Sequence, residues 1–243
     1  MIRARLAAGE RLTCGLVRMP AEDVVEMLAV AGLDMLLVDC EHGPADVIEL
    51  RRHIALADAH GVPVLVRIGE GEHHLAQRAL DQGAHGIVAP HVETAAEAEA
   101  LVRAVRYPPR GDRGFATYPR AGRFGTRSAA EHRAHTDAAT FLLVMLESPG
   151  AVARAGGIVA VDGVDGWLVG TADLGAVRTP ADPTVPELLA RVRRDPAVAG
   201  SVRADLAGSA AEAETAFADG AQIVVYNVAQ VMMTAFRELP RRS

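Results

Sequence analysis

The chain contains no lysine. Without a side-chain amine no Schiff base can form, so carbonyl chemistry here has to run through a metal ion or an acid–base pair. Cysteine is almost as scarce. Cys14 and Cys40 are the only two, which excludes a disulfide framework, and their spacing fits no metal site. Aromatic residues make up 4% of the sequence, so its 50% hydrophobic content rests mainly on Ala, Val and Leu. That balance suits helices packed closely over a sheet of branched residues. Long apolar runs are missing too: nothing approaches about 18 uninterrupted apolar residues, and the N-terminal segment lacks the apolar stretch of a secretion signal. The expectation is a cytoplasmic protein with no membrane partner. A formal charge of −6 argues against nucleic acid as a partner, and no GxGxxG or P-loop spacing marks a nucleotide site. Gly69-Glu70-Gly71-Glu72 is too acidic to cradle a phosphate.

What the chain does have is a strand–helix alternation along nearly its whole length. Strand-like runs begin near Leu12, Asp34, Val64, Gly86, Phe141, Gly166, Gly200 and Gln222. Helical spacing fills 21–31, 45–59, 72–82, 95–105 and 210–218, and glycines such as Gly32, Gly83, Gly166 and Gly220 mark helix ends or strand starts. Eight such units predict an α/β fold, a single (β/α)₈ barrel over 1–243, at the length of about 250 residues typical of that fold. The stretch 107–140 reads as irregular, a lid or an interface element.

Three apolar runs stop at carboxylates: Met35-Leu36-Leu37-Val38-Asp39, Phe141-Leu142-Leu143-Val144-Met145-Leu146-Glu147, and Trp167-Leu168-Val169-Gly170-Thr171-Ala172-Asp173. A buried parallel strand that ends in one polar residue is how a barrel assembles a site at its C-terminal face. Glu147 and Asp173 lie 26 residues apart, about one barrel unit, so they should meet on neighbouring strand tops. Two carboxylates with water and a chelating substrate suit a hard cation such as Mg²⁺ or Mn²⁺. They are equally readable as two unrelated strand-end acids, one of them capping a helix. Asp39, Glu41 and His42 follow the second predicted strand, and Arg67 ends the third, Pro63-Val64-Leu65-Val66-Arg67. An arginine on an inner strand must find an anion or a carbonyl. His42 is either a base oriented by Asp39 and Glu41 or a structural histidine. His91 is a weaker candidate for the pocket lining. His73, His74, His132 and His135 are expected at the surface.

Gly32-Leu-Asp-Met-Leu-Leu-Val-Asp-Cys-Glu-His-Gly-Pro44 resembles the GxDxxxxDxEHxP segment of the HpcH/HpaI aldolases, a metal-dependent family of class II pyruvate aldolases. Pro63-Val-Leu-Val-Arg67, Leu80-Asp-Gln-Gly-Ala84, Arg106-Tyr-Pro-Pro-Arg-Gly-Asp-Arg-Gly114 and Val164-Asp-Gly-Trp-Leu-Val-Gly-Thr-Ala-Asp-Leu174 resemble further family segments in the same order. The resemblance spans roughly residues 5 to 235. It implies cleavage of 4-hydroxy-2-oxo acids to pyruvate and an aldehyde through a pyruvate enolate, with a divalent cation (Mg²⁺, Mn²⁺ or Co²⁺) as cofactor. Glu147 and Asp173 become the metal ligands and Arg67 the group that polarises the pyruvate carbonyl. His42 becomes the base acting on the 4-hydroxyl, and Asp81 its partner from a neighbouring subunit. The amides around Gly170, Thr171 and Ala172 hold the pyruvate carboxylate, and Asp39 joins the substrate-binding set. A homo-oligomer, a hexamer by resemblance, is implied, with the helix at 228–239 at its interface.

The chain departs from the family pattern at four places. Met145 stands where many members have Gln, Cys40 where Gly is usual, and Val17 where an aromatic is common. Tyr226-Asn227-Val228-Ala229 replaces a Val-Gly-Val-Asp pattern. Two alternatives stay open: a lyase acting on an acyl-CoA, like the citrate-lyase β-subunit relatives, and a barrel that binds 2-oxo acids without turnover.

Overall fold

In a computed structural model, which describes residues 1–44 and 46–239, the apolar runs form eight parallel strands. They are β1 (Leu12–Val17), β2 (Met35–Asp39), β3 (Val64–Arg67), β4 (Gly86–Ala89), β5 (Phe141–Leu146), β6 (Gly166–Val169), β7 (Val202–Ala207) and β8 (Ile223–Asn227). Each pairs with the next and β8 closes on β1, giving the expected barrel. Successive side chains alternate between its two faces. Leu12, Cys14, Leu16, Met35, Leu37, Leu65, Val88, Leu143 and Met145 fill the interior. Leu36, Val38, Val64, Val66, Leu142 and Val144 turn outward into the helix layer. Both faces are dry, which is why the runs are continuously apolar rather than alternating. Burial raises the Cys14 thiol well above its ordinary range, with Asp34 adding to it, so it is an inert packing group.

The outer layer comprises α1 (Ile2–Ala7), α2 (Glu22–Val30), α3 (Val47–Ala59), α4 (His73–Asp81), α5 (Ala95–Val105), α6 (Ala129–Ala139), α7 (Pro149–Ala153), α8 (Ala155–Val159), α9 (Thr171–Val177), α10 (Val185–Arg194), α11 (Ala210–Ala218) and α12 (Val228–Arg237). Strands β2, β7 and β8 begin one or two residues later than their runs suggest. Polar residues occupy the entrances: Asp34 accepts the Thr13 amide at 2.8 Å and Gln222 accepts the Arg203 amide at 2.9 Å. The helix read as 45–59 is capped by Asp46, whose carboxylate takes the Ile48 and Glu49 amides; Ala45 lies outside the described residues.

The segment 107–140 is less irregular than the sequence suggests. It carries a 3₁₀ turn at Arg120–Gly125 and then α6, whose Ser128 and Glu131 form a reciprocal capping box. His132, expected at the surface, is 1% exposed. It packs under Tyr107, with the phenol oxygen 3.1 Å from its Nε2. Among the described residues no helix is long and apolar enough to cross a membrane. Helix α12 buries only Val228 and leaves Val231, Met233 and Phe236 exposed.

Asp165 locks the entrance end of the barrel. Its carboxylate takes the Leu142 amide and Arg3 Nη2, both at 2.7 Å, and faces Arg106 Nη2 at 3.5 Å. Burial, with the nearby charge of Arg3, pulls the Arg106 guanidinium down to about 10. Asp165→Ala should therefore cost about 3–5 kcal/mol in urea unfolding, because Arg106 is left buried without its carboxylate. A loss under about 1 kcal/mol, the range of an exposed pair, would contradict this reading.

Candidate active site

The strand register brings the polar strand ends to one level. Leu16 pairs with Leu37 and Val17 with Val38, so Arg18 comes next to Asp39, and Asp39 pairs with Arg67. Asp39 is fully buried. Its Oδ1 accepts Arg67 Nε at 2.9 Å and the amides of Glu41 and His42 at 3.1 and 3.2 Å. Its Oδ2 accepts Arg18 Nε at 2.8 Å and also Arg67 Nη2. Burial alone would raise this carboxyl; the Arg67 hydrogen bonds and charge, with Arg18 behind them, hold it at about 2. It is ionised at any working pH. Both Asp39 oxygens accept hydrogen bonds from within the protein, and the group fixes Arg67 and the loop after β2.

That loop folds back over Asp39. A Cβ on Gly43 would lie 2.2 Å from the Asp39 carbonyl oxygen, so only glycine fits. The fold-back puts Glu41 Oε2 3.2 Å from Arg67 Nη1 and leaves the His42 ring about half exposed, 3.9 Å from Glu41. Burial works against the charge on Arg67, but Asp39, Glu41 and Glu147 together raise its proton affinity.

Glu147 follows β5 and is 2% exposed. Its Oε2 accepts the His91 amide at 2.8 Å and lies 3.4 Å from the His91 Nδ1. The other imidazole nitrogen is 3.5 Å from Glu41, so His91 stands between two carboxylates. Reaching this position takes a left-handed backbone, φ 52°, at a residue with a side chain. Such strain concentrates at functional sites. Burial raises the Glu147 carboxyl above its usual range, opposed by His91 and reinforced by the charges of Asp173 and Glu41. Asp173 sits in the first turn of α9 rather than on a strand. Gly170 makes room for the pair, since a Cβ there would lie 2.0 Å from Glu147 Oε1.

The site thus gathers Asp39, Glu41, Arg67, His91, Met145, Glu147, Gly170 and Asp173, with His42 at its rim. Sequence reasoning gave Glu41 only the task of orienting His42 and ranked His91 low. The place of His91 after Ala89-Pro90, at the end of the fourth strand, was the available signal. Asp81 is not brought to His42 within one chain; it ends α4 and is held by Arg113 Nη2 at 2.6 Å. The Gly170 amide is already donated to the Leu146 carbonyl, at 3.3 Å, which leaves the exposed Thr171 and Ala172 at the head of α9.

Among the described residues no three His, Cys, Asp or Glu side chains are grouped as a closed metal site. Glu147 and Asp173 would offer a cation two carboxylates, with the charge of a third, Glu41, nearby. Crowded negative charge and a buried carboxylate of raised proton affinity fit a hard divalent cation.

Residues 17–235 match the HpcH/HpaI aldolase/citrate lyase family. The chain belongs to that family. It is 41% identical over 190 residues to a hydroxypyruvate/pyruvate aldolase of Pseudomonas aeruginosa, covering 74% of this chain and 70% of the relative. A crystal structure of a family protein from Burkholderia cenocepacia has a TM-score of 0.88 at 31% identity, over 98% of this chain and 96% of that one. A more distant structure, the protein CitE of Mycobacterium tuberculosis in complex with magnesium and pyruvate, shares the fold at 17% identity and a TM-score of 0.58, over 100% of this chain and 94% of that one. The family makes this chain a carbon–carbon lyase.

Gly170→Ala should keep the fold by circular dichroism and reduce turnover at least about 100-fold, because the Glu147 carboxylate must leave its place; misplacement of about 1 Å has that effect. Unchanged turnover would show that the position of Glu147 is immaterial.

Proposed function

We propose that the chain is a cytoplasmic class II aldolase that cleaves 4-hydroxy-2-oxo acids to pyruvate and an aldehyde and runs the reverse addition. The observation that carries this reading is a buried arginine, immobilised by Asp39, beside an open pair of carboxylates in a chain without lysine. The aldolase relatives support the reaction class, and two unpaired cysteines suit a reducing compartment.

When bound by Glu147 and Asp173, a divalent cation such as Mg²⁺, Mn²⁺ or Co²⁺ supplies fixed positive charge next to the oxo acid. Arg67 polarises the C2 carbonyl. His42 takes the proton of the 4-hydroxyl, the C4–O bond becomes the aldehyde carbonyl, and the C3–C4 electron pair moves into the C2–C3 bond. The charge that collects on the C2 oxygen faces Arg67, which Asp39 keeps from reorganising. The amides of Thr171 and Ala172 hold the carboxylate, with the Gly170 amide supporting the turn. Met145, whose sulfur lies 3.9 Å from Arg67 Nη1, offers no strong donor where many members carry Gln, so more of the stabilisation falls on Arg67. Asp81 serves the His42 of a neighbouring copy in a homo-oligomer, a hexamer by resemblance, with the uncovered face of α12 at its interface.

An acyl-CoA substrate would need basic residues near the site. Arg113, Arg120, Arg123 and Arg127 do gather around a cavity of about 540 Å³. However, its wall includes Gly83, Ala84 and His85, which precede β4, so it opens at the end of the barrel away from Glu147.

EDTA should abolish pyruvate release, measured with lactate dehydrogenase, and Mg²⁺, Mn²⁺ or Co²⁺ should restore it; full activity of a Glu147→Ala, Asp173→Ala double variant in chelator refutes the cation site. Arg67→Ala should lose about 10²–10³-fold in turnover. His42→Ala should damage cleavage more than C3 proton exchange of pyruvate, followed by NMR, and equal damage to both overturns its assignment as base. No pyruvate from any of a panel of 4-hydroxy-2-oxo acids would favour the binding-only alternative.

A further inference from the structure

His91 meets Glu147 twice. Its amide donates to Glu147 Oε2 at 2.8 Å, and its Nδ1 stands 3.4 Å from the same oxygen. The other ring nitrogen, Nε2, faces Glu41 Oε1 at 3.5 Å. Among the described residues neither ring nitrogen makes a hydrogen bond; only the amide does. The left-handed backbone at this residue, φ 52°, aims the ring between the two carboxylates. The side chain is 33% exposed, so the ring borders the open mouth rather than the packed core.

A neutral imidazole carries one N–H and one lone pair. With the N–H directed at Glu41, the Nδ1 lone pair faces the Glu147 carboxylate, and two lone pairs held together need a positive charge between them. The order carboxylate, histidine, cation is the environment of a metal-bound imidazole, whose second nitrogen donates to a carboxylate that fixes the ring and its tautomer. Donors that share one divalent ion, each about 2.0–2.2 Å from it, lie about 3 Å apart. A small closing movement brings Nδ1 and Glu147 Oε2 to that spacing. We infer that His91 is a third protein ligand of the cation, beside Glu147 and Asp173, and that its nitrogen makes the site prefer a transition-metal ion such as Co²⁺ over Mg²⁺. Glu41 is the group that orients the ring. Imidazole favours ions of that kind, whereas Mg²⁺ favours oxygen donors. This inference rests on the reading of Glu147 and Asp173 as the cation site.

The alternative role for His91 is a countercharge that ties Glu41 to Glu147; its removal would then leave cation affinity unchanged or raise it. Pulsed electron paramagnetic resonance of Mn²⁺ bound to the unsubstituted enzyme, in buffer free of imidazole, should show the nitrogen coupling of a coordinated histidine. That coupling should vanish in His91→Asn, a substitution chosen because asparagine accepts a left-handed backbone. Calorimetry with Co²⁺ and with Mg²⁺ should compare the same two proteins. Co²⁺ affinity should fall by about 10- to 100-fold and Mg²⁺ affinity by less than about threefold. No nitrogen coupling in the unsubstituted enzyme overturns the inference. So does a Co²⁺ affinity that is unchanged or raised in His91→Asn, or an equal loss for both cations. Mn²⁺ binding that survives in the Glu147→Ala, Asp173→Ala double variant overturns the cation site itself, and the inference with it.

Discussion

The site depends on one buried carboxylate. Asp39 holds Arg67 by two hydrogen bonds, Arg18 by a third, and the Glu41 and His42 amides by two more. A guanidinium taken from water is costly unless a partner is fixed beside it, and Asp39 is that partner. The same group aims Arg67 into the barrel and bends the following loop so that Glu41 and His42 face the mouth. Electrostatic stabilisation is effective when the donor need not move as charge develops. In this chain the immobility of Arg67 comes from strand register: Asp39 and Arg67 are direct neighbours on β2 and β3.

Glycine sets the remaining geometry. Gly43 lets the loop after β2 close over Asp39, and Gly170 lets Glu147 occupy the space a Cβ would fill. Both belong to sequence segments that resemble the family, and in both cases the reason is contact distance rather than conformational freedom. Two neighbouring anions, Glu41 and Asp173, raise the proton affinity that burial already gives Glu147. A site of this charge is not self-sufficient, and it fits a cation better than it fits three free carboxylates.

Much of this was legible in the residues. Apolar runs ending at Asp39 and Glu147 predicted a parallel barrel with its polar groups at one end, and the inner-strand Arg67 was expected to find an anion or a carbonyl, a need that Asp39 meets. What escaped the sequence depends on tertiary contact. The saturation of Asp39 could not be read, because Arg18 lies beyond its strand and its inward direction follows only from the register. The left-handed backbone of His91 leaves no compositional trace. Asp173 was placed on a strand top because the run from Trp167 hides a helix start after Gly170. The burial of His132 required α6, whose Ser128–Glu131 cap was present in the sequence but was absorbed into a stretch rich in glycine and arginine.

The most direct test removes the charge of Asp39 and leaves the cation ligands untouched. In Asp39→Asn, folding is checked by circular dichroism, Mn²⁺ affinity by electron paramagnetic resonance, and pyruvate C3 exchange by NMR. If Asp39 works by holding Arg67, exchange falls by about 10²-fold or more, while Mn²⁺ affinity stays within about threefold, less than the roughly 10-fold cost of disturbing a ligand's support. A folded Asp39→Asn protein that binds Mn²⁺ and exchanges pyruvate at the original rate would contradict the account.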